Sequence, residues 1–270
     1  FNDRLTGNDL ANRLDGGAGN DTLTGGLGND TYIVDSSADV TVEAGTDAGA
    51  IDTVISGVSW ILQSTLENLT LTGTVATVGG GNGSANVING NAANNVLGGY
   101  AGVDTIDGGA GNDTISGGAD ADRLTGGSGS DRFVFNSKVG ADVLIDFVSG
   151  TDRLAFSQSA LRVGDGDLLL EGSLLRAAPG GFATSAELVV FTTNVASLTT
   201  AAAAAAIGSA TGAYAVGQTA LFAVDTGVST GVYLFTSSGA DAAVSAAELT
   251  LLGSLGGTAS TVLADYQFVA

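Results

Sequence analysis

Between Gly99 and Val134 the sequence repeats every nine residues: GYAGVDTID, GGAGNDTIS, GGADADRLT, GGSGSDRFV. Each nine opens with Gly, carries Asp at its sixth place and a large apolar residue at its eighth. Asp104, Asp113, Asp122 and Asp131 therefore share one phase, as do Ile106, Ile115, Leu124 and Phe133. Few folds satisfy so short a period. One inward apolar residue between polar neighbours is what a very short strand provides, since alternate side chains face opposite ways. The glycines ahead of it tolerate positive φ and close backbone approach, so the chain can turn tightly. Strand, turn, strand, turn makes a coil of two nines, and residues eighteen apart then lie one strand spacing apart, about 4.8 Å. This places Asp104 over Asp122 and Asp113 over Asp131. Two carboxylates at that distance repel by ~1 kcal/mol in water and several-fold more at lower effective dielectric. Such a column requires a cation. Carboxylate and carbonyl oxygens, in a chain with no Cys or His, select calcium over zinc or copper.

The pattern GGxGxDxUx, with U a large apolar residue, resembles the RTX (repeats-in-toxin) nonapeptide of proteins exported by type I secretion. The resemblance implies an all-β chain built on a parallel β-roll or β-helix, with several calcium ions held between successive turns. It implies carboxylate ligands at Asp3, Asp21, Asp30, Asp104, Asp113, Asp122 and Asp131. It implies turn-backbone ligands at Gly16, Gly17, Gly19, Gly25, Gly26, Gly28, Gly99, Gly102, Gly108, Gly109, Gly111, Gly117, Gly118, Gly126, Gly127 and Gly129. Asn12, Asn95 and Asp120 are weaker candidates. A glycine-rich linker is the competing reading, but linkers carry no phased aliphatic residue.

Composition narrows the class further. The 43 glycines and single proline accompany 44% hydrophobic residues, more apolar content than disorder carries. A net charge of −20 excludes a nucleic-acid footprint and disfavours anionic membrane surfaces, and each divalent ion would cancel two of those charges. Metal clips can replace disulfides as staples in a chain without Cys. There is no basic-then-apolar leader and no run of eighteen apolar residues, so no transmembrane segment is expected. Asp3 already holds position six of a nine, so the chain starts inside a repeat and reads as a piece of a longer protein.

Five segments are expected. A first array covers residues 1–33, with Asp3, Asn12, Asp21 and Asp30 at position six and Leu5, Leu14, Leu23 and Tyr32 at position eight. Asn12 over Asp30 makes a site one charge poorer. In residues 34–80 the nines vanish, and Asp30 and Asn86 stand 56 apart, not a multiple of nine. The stretches TYIVD, DVTVEAG, DTVISGVSWIL and ENLTLTG still read as strands, continuing the parallel ladder in wider, less regular coils, with Trp60 in the core of the longest. The second array, residues 81–134, opens with two nines in which Asn86 and Asn95 replace Asp, where amides can pair without metal. Asp120 replaces a turn glycine, as an irregular turn or an added ligand.

Residues 135–176 close the roll: ADVLIDF and DRLAFS form two strands around a Gly-Thr-Asp turn, and the resemblance offers Asp142, Asp146 and Asp152 as extra ligands. Residues 177–270 form a carboxy-terminal cap. Within it Ser197-Leu-Thr-Thr before Ala201 to Ala206, stopped by Gly208, predicts a short helix, and LFAVD and VYLFTS predict strands. The capping box Ser245-Ala-Ala-Glu248 before LTLLGSL predicts a second short helix or turn. No Lys or Arg follows Arg176, and the last 50 to 60 residues, ending DYQFVA, resemble an uncleaved type I export signal.

No catalytic constellation emerges, and the chain is not expected to be an enzyme. Gly227-Val-Ser-Thr-Gly231 matches the nucleophile-elbow pattern, but a triad needs a His, as does HExxH zinc hydrolysis, and this chain has none. Two functions remain open. One is a calcium-stiffened structural module of a secreted or cell-surface protein, such as an adhesin stalk, surface layer or extracellular filament. The other is the export and folding module of a larger secreted enzyme whose catalytic domain lies before Phe1. The partners expected are calcium, a type I exporter, and further copies of the chain in rods or arrays.

Overall fold

The computed structural model describes residues 1–43, 49–164, 167, 169–192, 194–256 and 261–270. The chain divides into two compact units, Phe1–Gly118 with Gly126–Asp131, and Ala119–Thr125 with Arg132–Ala270.

The first unit is a parallel solenoid whose strands are as short as the nines require. One ladder joins Arg4–Thr6, Thr22–Thr24 and Val40–Val42. A second runs through Arg13–Asp15, Thr31–Val34, Thr53–Ser56, Asn68–Leu71, Val87–Asn89 and Thr105–Asp107. A third joins Trp60–Ile61, Val78–Gly80, Val96–Tyr100 and Thr114–Gly118. In the arrays the register is eighteen residues, with Leu5 beside Leu23, Leu14 beside Tyr32, Ile88 beside Ile106 and Leu97 beside Ile115. The middle residues of Thr22–Thr24, Val87–Asn89 and Thr105–Asp107 turn inward, so Leu23, Ile88 and Ile106 are buried, as is Ile115 in Thr114–Gly118.

The irregular stretch keeps the ladder by changing the coil length. Thr31 pairs with Thr53, Thr53 with Asn68 and Asn68 with Val87, giving coils of 22, 15 and 19 residues. Together these make up the 56 residues between Asp30 and Asn86, which accounts for the lost phase. Three of the four expected strands appear, as Thr31–Val34, Val40–Val42 and Asn68–Leu71, although the last two residues of DVTVEAG, Ala44 and Gly45, lie outside the described residues. The expected long strand DTVISGVSWIL is instead two strands, Thr53–Ser56 and Trp60–Ile61, with a turn between them in which Ser56 Oγ accepts the Val58 N–H at 3.2 Å. A 15-residue coil has no room for eleven extended residues. Trp60 is consequently half-buried at the start of a two-residue strand, and the core is filled by Leu62 and Leu66.

The second unit has two parallel ladders and a mixed extension. Arg132–Phe135, Arg153–Ser157 and Tyr266–Val269 form one ladder. Its aromatic rings stack, Phe135 on Phe156 at 5.2 Å and Phe156 on Tyr266 at 6.2 Å. The other ladder pairs Arg123–Thr125 with Asp142–Leu144, and Asp142–Leu144 with Leu249–Gly256. Beyond it Ser229–Thr236 and Thr219–Asp225 run antiparallel, and Leu188–Phe191 and Leu174–Arg176 run parallel again. The helix Thr200–Ile207 lies where the Ala run predicts it, with Thr199 Oγ1 accepting the Ala202 N–H and Gly208 ending it at φ +75°. Its buried Ala203 and Ile207 join Phe191, Phe222, Tyr233 and Phe235 in one apolar cluster.

At Ser245, where a short helix or a turn is expected, the structure has the turn, a single 3-10 turn. The Ser245–Glu248 capping box forms, but Ala246–Glu248 ends there and LTLLGSL becomes the strand Leu249–Gly256. Ser229–Thr236 pairs along that segment and Asp142–Leu144 pairs with Gly253–Leu255 on its other side, which outweighs a single capped turn. Gly227 and Val228 lie in the turn of the hairpin between Thr219–Asp225 and Ser229–Thr236, where Gly227 N–H donates to Asp225 Oδ1, and Ser229 to Gly231 begin the second strand. The segment is not a strand-to-helix elbow.

The tail is pinned by Asp265, which is fully buried. It accepts hydrogen bonds from Ser149 Oγ at 2.7 Å, Gly150 N–H at 2.9 Å and Val262 N–H at 2.9 Å, with Arg153 Nη1 3.9 Å away. Charge-assisted bonds of this kind are the strong ones, and losing their acceptor leaves buried donors unmet. Asp265→Ala is expected to lower stability by about 2–3 kcal/mol in thermal melts at saturating calcium, whereas loss of under half that would mean the tail is held by its strand alone.

Candidate metal centres

The position-six residues form a hydrogen-bonded column. Each carboxylate accepts, through one oxygen, the backbone N–H of the position-six residue one coil earlier. Asp21 takes the N–H of Asp3 at 2.7 Å, Asp30 that of Asn12 at 2.7 Å, and Asp104 that of Asn86 at 2.7 Å. Asp113 takes that of Asn95 at 2.6 Å and Asp131 that of Asp113 at 2.8 Å. In the second unit Asp142 accepts from Asp122 at 3.2 Å. The repeat thus anchors each acid to the strand ladder, and repulsion between stacked carboxylates is met in part by backbone dipoles.

The other oxygen is the chemically open one. Oδ2 of Asp21, Asp30 and Asp113 is buried without a hydrogen-bond partner. The first glycine of each nine makes room for it. A Cβ on Gly108 would stand 2.5 Å from Asp113 Oδ2 and 2.6 Å from the Gly126 carbonyl oxygen, so a carboxylate and a carbonyl of the next coil face one small space. Gly99 stands in the same relation to Asp104 and to the Gly117 carbonyl, and Gly16 to Asp21. The second glycine turns the chain, as Gly109 does at φ +91°. Hard oxygens, one charged and one neutral, converging on a buried point are a calcium donor set. The residues present fit the ion.

The remaining candidates fall unevenly around this arrangement. Asp3 is exposed; Asp21, Asp30, Asp104, Asp113, Asp122 and Asp131 are buried. Asn95 is buried, with its amide donating to Thr77 Oγ1 at 3.1 Å and to Asn91 Oδ1 at 3.1 Å, and Asn86 donates to the Leu66 and Glu67 carbonyls. At both residues it is the neutral Oδ1 that faces the gap, above Gly81 for Asn86 and above Gly90 for Asn95, so each site is one charge poorer. Asn12 is half-buried, and its Oδ1 accepts the Asn8 N–H. Asp120 is exposed at φ +78°, filling a turn-glycine position. Asp142 and Asp152 are buried, Asp152 accepting the Val148 N–H at 2.7 Å, and Asp146 is half-buried.

The column also runs through acids that sequence reasoning passed over. Asp39 Oδ1 accepts the Asp21 N–H at 2.9 Å, Asp52 Oδ1 the Asp30 N–H at 2.7 Å and Glu67 Oε2 the Asp52 N–H at 2.8 Å. Asp39 was detectable, since it lies eighteen residues after Asp21, but Thr41 in place of the aliphatic hides the nine. Asp52 and Glu67 follow coils of other lengths and carry no phase signal. One group of three carboxylates, Asp30, Glu43 and Asp52, has ligand oxygens all within 4.8 Å of one another. A second ladder uses position five: Asn112 N–H donates to Asn94 Oδ1 at 2.7 Å and Ser130 N–H to Asn112 Oδ1 at 2.8 Å.

Burial raises the carboxyl of Asp113 to about 6, against the backbone bond to Asn95 and aided by Asp131 and Asp107. Burial likewise raises Glu43 to about 7, opposed by the hydroxyl of Tyr32 and aided by Asp52, Asp30 and Glu67. Glu248 is different: burial raises it, but bonds from the backbone and hydroxyls of Ser238 and Ser245 prevail and hold it at about 2.

The RTX calcium-binding nonapeptide repeat family matches residues 1–40, 80–115 and 98–133, in four copies. No curated protein matches the chain. The solution structure of the AlgE6R3 subunit from the Azotobacter vinelandii mannuronan C5-epimerase is similar at 22% sequence identity, over 77% of this chain and 82% of that one, with a TM-score of 0.32.

The raised carboxyls give the metal-free protein a pH dependence of definite sign. An acid whose folded-state pKa is raised contributes most stability when protonated, and that contribution is lost as the pH climbs through about 6 for Asp113 and about 7 for Glu43. Glu248 is ionised in both folded and unfolded chains above pH 5 and is silent there. With a chelator present, the β signal in circular dichroism is expected to be larger at pH 5 than at pH 7.5. An equal or lower value at pH 5 would contradict the electrostatic reading of the column.

Proposed function

This chain carries RTX calcium-binding nonapeptide repeats in both of its arrays, and from that premise we propose that it is a calcium-folded structural module of a secreted or cell-surface protein. The observation that carries the reading is the buried Oδ2 of Asp21 and Asp113, each set in the space left by a glycine and lacking a protein donor. Burying an ionised carboxylate oxygen without a partner is costly, and a cation removes that cost while binding its neighbours on the next coil. Folding and calcium binding are then one event. Calcium modules outside cells bind in the range of about 10⁻⁴–10⁻³ M, so the chain stays loose where calcium is scarce and folds where it is plentiful.

That order suits type I export, in which an unfolded chain passes first and folds outside. The carboxy-terminal strands Leu249–Gly256 and Tyr266–Val269 would serve as an export signal while free, and as ladder strands once folded. A stiff, acidic coil stack with its chemistry spent on calcium fits an adhesin stalk, a surface layer or a filament, where copies associate. Its role there is mechanical rather than catalytic. Among the described residues no helix is long and apolar enough to cross a membrane.

Circular dichroism with calcium and with a chelator at neutral pH tests the reading. The β signal is expected to collapse in chelator and return with calcium. Asp113→Ala is expected to shift the calcium midpoint upward far more than Asn95→Ala, because the Asn95 amide is already satisfied by Thr77 and Asn91. A β spectrum unchanged by chelator would defeat the proposal.

A further inference from the structure

We propose that Asp30, Glu43 and Asp52 bind a calcium-class cation at a site of their own, built from three carboxylates rather than from a carboxylate and turn carbonyls. Glu43 and Asp52 lie outside the residues matched by the repeat family, and the long coil between Thr31 and Thr53 brings them to Asp30. The three ligand oxygens stand within 4.8 Å of one another. An independent observation points to a ligand among them. Asp30 is 1% exposed, and its Oδ2 has no hydrogen-bond partner.

That oxygen faces into the cluster. It and the Tyr32 hydroxyl crowd the single point where a Cβ of Gly25 would stand, and the same hydroxyl donates to Glu43 Oε1. The other oxygen of Asp30 is held by the Asn12 N–H, and Asp52 Oδ1 is held by the Asp30 N–H. Two of the three carboxylates are therefore fixed by backbone, and Glu43 is positioned by Tyr32. Three carboxylates of like charge gathered at this distance make a hard-oxygen site of high charge, which favours calcium and, as a probe, a trivalent lanthanide. The inference shares with the proposed function the ion and the open oxygen of Asp30, and the variants at Glu43 and Asp52 test it apart from the repeat carboxylates.

Titration calorimetry of the full chain with calcium, and terbium emission excited through tyrosine, test the site. Glu43→Gln and Asp52→Asn, which keep the hydrogen-bonding oxygens, are each expected to remove one bound calcium or weaken one ion by at least about tenfold. Both should leave the β spectrum at saturating calcium unchanged. The terbium emission lost in Glu43→Gln should also be lost in Tyr32→Phe, a variant that retains every carboxylate and keeps the ion count. If both carboxylate variants fold and retain the full ion count and affinities, the site does not exist, even where chelation still unfolds the chain.

Discussion

The structure depends on a buried carboxylate that is only half satisfied by protein. In each full nine the sixth residue gives one oxygen to the backbone N–H of the preceding coil, which locks the stacking register. The other oxygen is turned into the gap above a glycine. Everything else in the repeat serves that geometry. The first glycine vacates the space, the second reverses the chain, and the eighth residue seals the core behind it. A methyl group at Gly108 would collide with Asp113 Oδ2 and with the Gly126 carbonyl, so the glycines are as much part of the centre as the acids.

Much of this was legible because a period of nine leaves almost no freedom. The inward position of Ile106 and Ile115, the eighteen-residue register and the stacking of Asp113 with Asp131 all follow from phase alone. Phase is also what failed. Asp39 keeps the spacing but loses the aliphatic partner. Asp52 and Glu67 keep the hydrogen bond but lose the spacing, because coils of 22 and 15 residues precede them. What the ladder conserves is a backbone N–H offered to an acid, and no pattern of residue types at fixed intervals encodes that once coil length varies. Glu43 is a stronger case, since it stands just past the strand Val40–Val42 and is held by the hydroxyl of Tyr32.

In the carboxy-terminal third, tertiary pairing overrode local preference. The Thr199 cap and Gly208 stop define the Ala-rich helix much as the sequence implies. The Ser245 capping box is just as well formed, yet it governs one turn, because Leu249–Gly256 finds strand partners on both sides. Trp60 shows the same competition, displaced from the core by a coil too short to keep its strand whole. Asp265 ties the final strand to the turn at Ser149 and Gly150, which makes the tail a structural member of its unit.

The central claim, that a cation completes the open carboxylate oxygens, is tested most directly by anomalous diffraction from crystals grown in calcium. A calcium peak is expected about 2.3–2.6 Å from Asp113 Oδ2 and from the carbonyl oxygen of Gly126. A folded chain with no anomalous peak there, and with that carboxylate turned to a protein donor or a water molecule, would contradict it.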